Sequence, residues 1–195
     1  MERLLTRLER RFGRFAIPNL IALIVGGMGV VFVLALLKPA FAERLAFNLD
    51  AVRQGEVWRL VTFLFIPPAT SPGTSSPFWL LVSLYFTWWL GSSLEQQWGA
   101  FKFNAFYFVG WMATIAAGLL TGAATNTWLD TSLLLAFATV FPDVQILLFF
   151  ILPIRVKWTG IAALLYMAYH AYAGDGVTRA SIAAAFLAYV VFFAS

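Results

Sequence analysis

The chain lacks cysteine altogether, has one histidine and carries few charged side chains. Without cysteine it cannot form a disulfide, a thiolate metal site or a cysteine nucleophile. A metal site built from histidines needs more than the single histidine, His170, that the chain has. We therefore expect no metal and no cofactor. Charged residues make up 11% of the 195 positions, whereas soluble domains carry about a quarter. So few charges cannot cover a water-facing surface, which excludes an ordinary soluble domain.

The chain is instead dominated by apolar side chains. They make up 62% of the residues, the mean hydropathy is +0.84, and the length fits about six transmembrane helices of roughly 20 residues with short loops. The formal charge of +4 does not indicate a nucleic-acid partner, because the basic residues form no stripe interleaved with aromatic residues. They cluster as in the cytoplasmic segments of membrane proteins. The composition predicts a multi-pass α-helical membrane protein.

Residues 1–15 are predicted to precede the first span as a separate segment. Leucine and phenylalanine recur there at helical spacing with arginines between them, and the apolar core of a signal peptide is missing. This pattern is typical of an amphipathic helix on the cytoplasmic leaflet. A solvated basic tail is the alternative. Both interpretations place the N-terminus on the cytoplasmic side.

We predict six transmembrane helices within residues 16–195, with both termini cytoplasmic. The segment 38–76 holds too many charges for a span and is predicted to be a long outer loop, and 92–100, around Glu95, is predicted to be an inner turn. Eight of the 13 basic residues then lie on the inner side, in keeping with the positive-inside rule. The predicted spans are 16–37, 77–91, 101–122, a short fourth helix after the turn 123–131, then 159–173 and 180–195.

Two local features of the second half carry further predictions. The apolar run 144–152 is too short to cross a membrane as a helix and is bracketed by Pro142 and Pro153. We expect a loop or hairpin at the cytoplasmic interface, with a continuous span as the alternative. Serine, threonine and aspartate favour helix N-caps. The candidate caps of the fourth helix are Asp130, Thr131 and Ser132.

Three segments, taken in order, carry a recognisable pattern. The first reads Gly55-Glu56-Val57-Trp58-Arg59-Leu60-Val61-Thr62. The second is Leu90-Gly91-Ser92-Ser93-Leu94-Glu95, followed by Trp98-Gly99, Phe103, Tyr107 and Gly110. The third is Phe141-Pro142 with an apolar run that ends in Pro153-Ile154-Arg155-Val156. Together these segments resemble the rhomboid superfamily of membrane proteins, which includes rhomboid proteases, their inactive relatives and the derlins.

The resemblance implies a six-helix rhomboid-like bundle with structural motif residues at fixed places. Trp58 is expected at headgroup depth, and the Arg59 guanidinium on phosphates or backbone carbonyls. Glu95 is expected to accept backbone N–H bonds as the family's buried acid, which is a structural role. The full set of motif residues is Trp58, Arg59, Gly91, Glu95, Gly99, Gly110, Phe141 and Pro142.

The same resemblance shows that protease chemistry is missing from the sequence. A rhomboid protease carries a serine nucleophile in G-x-S-G on its fourth span and a histidine base on its sixth. Ile182 occupies the histidine position when the last loop and span are aligned, and counting from Phe141 puts the serine position near Thr127 or Trp128. The nearest serine, Ser132, has no flanking glycine. We therefore expect no catalytic residues and no enzyme activity.

Inactive rhomboids and derlins bind membrane-protein clients and influence their trafficking or degradation. The resemblance therefore implies a client-binding pseudoprotease in the plasma membrane, typical of a prokaryotic inner membrane, with lipids and client transmembrane helices as partners. Spans two and four look short, which would thin the bilayer locally. Small residues in a helix-packing core would accept a partner helix. They are Gly110, Ala113, Ala117, Ala183 and Ala184.

Two alternatives stay open at this point. Ser132 and His170 lie near the outer ends of predicted spans, so a rhomboid-family serine protease with a displaced dyad is the first, provided that the two side chains meet within about 3 Å. Otherwise Ser132 caps a helix or bonds back to a carbonyl, and His170 is an interfacial ring hydrogen-bonded to a neighbour. A transporter or channel would need ionisable residues facing a midplane pathway, which the spans scarcely offer. Lipid scrambling through a thinned bilayer is a further variant.

Overall fold

The computed structural model describes residues 9–11, 13–38, 40–67, 77–148 and 152–193, which are predominantly helical. Most of the predicted amphipathic helix, 1–8 with residue 12, lies outside the described residues, as does 68–76 at the end of the predicted outer loop. The described elements are α1 (Leu20–Leu37), α2 (Ala40–Leu45), α3 (Leu49–Arg53), α4 (Arg59–Thr62), α5 (Pro77–Trp98), α6 (Ala100–Thr121), α7 (Thr127–Val140), β1 (Gln145–Leu148), β2 (Leu152–Arg155), α8 (Val156–Ala173) and α9 (Gly176–Phe193), with short 3-10 turns at Gly13–Phe15 and Phe63–Phe65.

Three helices, α1, α6 and α9, are long and apolar enough to cross a membrane. The 22 residues of α6 extend about 33 Å, against a bilayer hydrocarbon core of about 30 Å. Large apolar side chains stand exposed on their outward faces, for example Val30, Leu120 and Leu187, and exposed apolar surface of this kind suits contact with lipid. A predominantly helical protein is confirmed, and three of its described helices are long and apolar enough to span a membrane. Six crossings and cytoplasmic termini stay predictions.

Helix α5 corrects the second predicted span. The sequence analysis ended that span at residue 91 and placed an inner turn at 92–100, but the helix continues to Trp98. The polar residues 92–93 and 96–97 resemble a turn in sequence, yet Leu94, which lies between them, is buried in the core. The chain turns only at Gly99, whose φ of 84° favours glycine because a side chain would be strained there. The second long helix is therefore not short.

Helix α7, with 14 residues, confirms that the fourth predicted helix is short. It begins at Thr127, several residues before the predicted caps, so the prediction that Asp130, Thr131 or Ser132 is the N-cap is wrong. The Thr131 hydroxyl donates to the Thr127 carbonyl, and the Ser132 hydroxyl donates to the Leu129 carbonyl. Both are the backward hydrogen bonds that hydroxyl residues make inside helices.

The N-terminus of α7 lies inside the protein. Asn126, the residue before the helix, is 4% exposed, and its side-chain amide donates to the carbonyl oxygens of Leu64 (3.1 Å) and Ile66 (2.9 Å). These carbonyls belong to the segment that follows α4. Non-helical backbone at membrane depth must find its hydrogen bonds within the protein, and Asn126 supplies two of them. Because α7 starts below the surface and is largely buried, its shortness does not require a thin bilayer.

The long segment between α1 and α5 is structured over residues 40–67, and Phe47 and Phe63 bury their rings in the main core.

Beyond α7 the chain forms an antiparallel hairpin in which Gln145 pairs with Arg155 and Leu148 with Leu152. The hairpin prediction is confirmed for the described residues, and the alternative of a continuous span is wrong. This small sheet also departs from the predicted all-α class.

The long helices pack as one bundle with a shared end. Trp98 at the end of α5 contacts the Phe192 and Phe193 rings at the end of α9, and Glu95 bonds to Asn19 ahead of α1. We call this the Glu95 end. Since α8 runs into α9 through a short turn, the start of α8 lies at the same end. Within the core, α7 packs between α5, α8 and α9, and α9 packs on α6.

Candidate functional site

The Glu95 carboxylate ties α5 to the start of α1. Glu95 is 8% exposed, and its Oε1 accepts a hydrogen bond from the Asn19 backbone N–H at 2.6 Å. Asn19 has a left-handed backbone, φ 56°, which asparagine tolerates better than most residues. A carboxylate at the N-terminal end of a helix is also stabilised by the helix dipole. Glu95 is thus buried and accepts one backbone N–H bond, and it lies in a helix and not in the predicted turn.

The Arg59 guanidinium holds the segment after α1 together. Its Nη1 donates to the backbone carbonyls of Glu43 (2.8 Å) and Ala46 (2.7 Å), and its Nε donates to the Glu56 carboxylate. The Arg59 guanidinium is predicted to bind phosphates or backbone carbonyls, and in the structure it binds backbone carbonyls. Trp58 is 51% exposed, so its ring is free to lie at a membrane interface. Arg59 therefore serves the architecture of this segment.

Two of the motif glycines permit close helix contacts. A side chain at Gly91 would overlap Ile21 of α1, and one at Gly110 would overlap Leu129 of α7. The Phe141 ring, at the end of α7, packs against Phe137, and the Pro142 carbonyl accepts a hydrogen bond from the α8 backbone. Gly91, Gly110, Phe141 and Pro142 therefore make structural contacts within the bundle.

The positions that the resemblance assigns to the protease residues lie close together. Trp128 and Ile182 belong to one buried cluster between α7, α8 and α9, in which they are 8% and 7% exposed. The other buried members are all apolar. They are Leu135, Ala163, Met167 and Ala185. The side chains of Trp128 and Ile182 themselves cannot move a proton.

The displaced pair, Ser132 and His170, is not joined by a hydrogen bond within the described residues. The Ser132 hydroxyl is fully buried and donates to Leu129, 2.7 Å away. The His170 ring, which was expected to hydrogen-bond a neighbour, instead packs against three aromatic rings at centroid distances of 4.4–5.5 Å. They belong to Trp128, Tyr166 and Tyr169. The geometry for proton transfer, a donor and an acceptor within about 3 Å, is not present in this arrangement.

Three of the five small residues that were expected to receive a client helix are already buried inside the bundle, and Ala113 is half-buried. Gly110 is buried against Leu129 of α7 and Ala188 of α9, while Ala117 and Ala184 are buried as well. Ala183 faces outward and is exposed. The expectation of an open small-residue core is therefore wrong, because packing of α9 on α6 fills it. A client helix would have to bind elsewhere.

A groove of about 770 Å³ lies on the bundle between α1, the segment after α4 and the first half of α6. The side chains that line the groove are mostly apolar. Three of these side chains, Leu23, Val61 and Phe108, are 56%, 44% and 55% exposed. The groove is therefore open on the lipid-facing side of α1 and α6. Asn104 and Tyr107 contribute polar side chains to the half of the groove that is nearer the Glu95 end.

Unpartnered polar atoms are concentrated at and behind this groove. The Tyr107 hydroxyl and the Asn104 Oδ1 are buried without a hydrogen-bond partner among the described residues, and so are both carboxylate oxygens of Asp130 on α7. Asp130 lies close enough to Tyr107 to act on it electrostatically. Buried polar atoms are normally hydrogen-bonded. A third carboxylate oxygen, Glu95 Oε2, is also buried without a hydrogen-bond partner among the described residues, at the Glu95 end of the bundle.

Sequence reasoning missed this polar group. From the sequence, Asp130 is predicted only as a helix N-cap and Tyr107 only as part of the second motif segment. The predicted spans also contain almost no ionisable residues. The available signal was Asp130 as the one charged residue of an otherwise uncharged helix, since an ionisable residue within a membrane helix indicates function by default. No cluster of metal-ligating side chains is found among the residues that the structure describes.

Comparison with known proteins adds no relative, because no family model, curated protein or solved structure matches the chain. Membership of the rhomboid superfamily therefore stays a prediction from the three sequence segments.

Proposed function

We propose that this protein is a rhomboid-like pseudoprotease that binds the transmembrane segments of client proteins without cleaving them. The observation that carries the proposal is the apolar cluster around Trp128 and Ile182. The resemblance assigns the base to Ile182 and the nucleophile to a position near Thr127 or Trp128, and Trp128 and Ile182 lie in one buried cluster. Neither an indole nor an isoleucine side chain can act as nucleophile or general base.

The remaining hydroxyl and imidazole do not replace the missing pair. Ser132 is buried with its hydroxyl committed to Leu129, and His170 packs on aromatic rings. Its nearest ring belongs to Tyr166, which is 50% exposed. No observation among the described residues favours catalysis over binding.

The proposal places the chain in a membrane with six crossings and both termini cytoplasmic, in a prokaryotic plasma membrane. Helices α5 and α8 have 22 and 18 residues, enough to extend about 33 and 27 Å. The basic residues Lys102, Arg155 and Lys157 all lie at the Glu95 end. The positive-inside rule then favours a cytoplasmic location for that end.

Association with a single-span reporter in liposomes tests the proposal. Donor-labelled protein and an acceptor-labelled transmembrane peptide are reconstituted together, and energy transfer is followed as the peptide-to-lipid ratio rises. We expect saturable transfer above the random-collision level that an unrelated multi-pass protein gives under the same conditions. Transfer no higher than that level would contradict client binding.

A further inference from the structure

We propose that the groove between α1 and α6 is the seat of the client helix, and that Tyr107 and Asp130 select a client that carries a hydrogen-bond donor within the bilayer. This inference rests on the proposed function, because it names the surface and the chemistry by which a client is recognised. It is carried by three observations: the shape of the groove, the unpartnered polar atoms of Asn104 and Tyr107 in its lining with Asp130 of α7 near Tyr107 outside the lining, and the depth of these atoms.

The groove suits an apolar helix in its shape and lining. Its volume is about 770 Å³, and the side chains that line it come from α1, from the segment after α4 and from α6. Leu23 and Phe108 on its two sides are more than half exposed, so a neighbouring helix can reach it from the lipid. The small-residue core is closed by the contact of Gly110 with Ala188 and does not compete as a docking surface.

The polar wall of the groove needs a donor. Tyr107 is 4% exposed and lines the groove, and its hydroxyl has no partner among the described residues. Behind it, both oxygens of Asp130 are buried and unpartnered, and the Oδ1 of Asn104 is a further unused acceptor. A carboxylate and an amide oxygen only accept hydrogen bonds. The complementary group is therefore a hydroxyl, an amide N–H₂ or an ammonium.

The depth of these acceptors identifies the source of the donor. Tyr107 lies seven residues into α6, which begins at Ala100, so it is about 10 Å along a helix that spans the hydrocarbon region. Lipid headgroups remain at the interface, whereas a polar side chain of a spanning helix reaches this depth. Polar side chains hydrogen-bond across helices within membranes. The occupant is accordingly a transmembrane helix with a Ser, Thr, Asn or Lys near the depth of Tyr107.

Photocrosslinking with a set of matched reporters tests the inference. The reporters are leucine–alanine single-span peptides that differ only in one central residue, Leu, Asn or Lys, reconstituted in liposomes with the full chain. A photoreactive residue replaces Phe108 in the groove or, as a control, Leu165 on α8, which is 67% exposed. Tyr107→Phe and Asp130→Asn are introduced separately into each background. Circular dichroism confirms that each variant is folded.

We expect the Asn and Lys reporters to crosslink from position 108 about three-fold or more above the Leu reporter, given the usual strength of hydrogen bonds between membrane helices. Position 165 should show no such preference. Asp130→Asn should remove the preference for Lys, and Tyr107→Phe should weaken both preferences, while the crosslinking of the Leu reporter stays unchanged.

Two results would overturn the inference and leave client binding intact. One is equal crosslinking of all three reporters from position 108, and the other is crosslinking confined to position 165. Exclusive labelling of position 108 by a photoreactive phospholipid, or by a second copy of the chain, would also reject a client helix as the occupant. Crosslinking of no reporter from either position would reject the proposed function together with the inference.

Discussion

Replacing Tyr107 by phenylalanine should stabilise the protein. The substitution removes one hydroxyl and keeps the ring, which is 4% exposed, so it leaves no large cavity. That hydroxyl has no hydrogen-bond partner among the described residues. An unsatisfied buried polar group costs about 1–3 kcal/mol. We therefore expect Tyr107→Phe to raise the free energy of unfolding by about 1–2 kcal/mol.

The melting temperature should rise accordingly, by about 2–4 °C for each kcal/mol in a chain of this size. Thermal unfolding in detergent micelles, followed by intrinsic tryptophan fluorescence, measures the shift. Tyr189→Phe is the matched control, because the Tyr189 hydroxyl is hydrogen-bonded to the Thr139 hydroxyl at 2.8 Å. It should leave the melting temperature unchanged or lower it. A fall for Tyr107→Phe as large as for Tyr189→Phe would show that the Tyr107 hydroxyl has a stabilising partner and would refute the reasoning.

Three further predictions concern the architecture. Glu95→Ala should destabilise the fold by about 2 kcal/mol, because a hydrogen bond from Asn19 to a charged group is lost, and Glu95→Gln should cost less in the same unfolding assay. Gly110→Ala should lower the melting temperature, because its new methyl group overlaps α7, with a cost of about 1–3 kcal/mol. Gly26→Ala, where no atom lies within contact distance, should be neutral or stabilising. A backbone hydrogen bond from Thr178 lowers the pKa of the exposed Asp175 carboxylate below 3.8, so its contribution to stability is present above that pH and disappears as the pH falls through the lowered pKa. The stability difference between the wild type and Asp175→Ala should therefore vanish in acid unfolding experiments.

Much of the fold could be predicted from the apolar runs. The helices α1 and α6 begin within four residues and one residue of their predicted starts, because a long hydrophobic stretch bounded by turn residues leaves few alternatives. The hairpin after α7 followed from the length of its apolar run between prolines. Glu95 was predicted to accept backbone N–H bonds, and it does so.

The errors occurred where tertiary contacts override local signals. The polar residues near the end of α5 indicate a turn, but burial of Leu94 keeps the chain helical. The start of α7 was predicted too late, because the hydrogen bonds of Asn126 to distant carbonyls are invisible in the local pattern. Whether the small residues are buried depends on which helices pack against each other. That packing is a property of the whole bundle and not of the local sequence.

The candidate site was predictable only in part. Aligning the sequence with the family motifs predicts that Ile182 stands where a base is required, and the structure shows it packed near Trp128. The groove was not predictable, because it arises from the relative placement of α1, α6 and the segment between them. The polar group at Tyr107 and Asp130 combines residues of two helices that no motif connects.

Proteolysis of a transmembrane reporter in liposomes tests the central claim most directly. The protein is assayed beside an active rhomboid protease, and the Ser132→Ala and His170→Ala variants are assayed with it. We predict no cleavage by the protein or by either variant, under conditions in which the rhomboid protease cleaves the reporter and the protein binds it. Cleavage by the protein that is abolished in both variants would contradict the account and establish Ser132 and His170 as a working dyad.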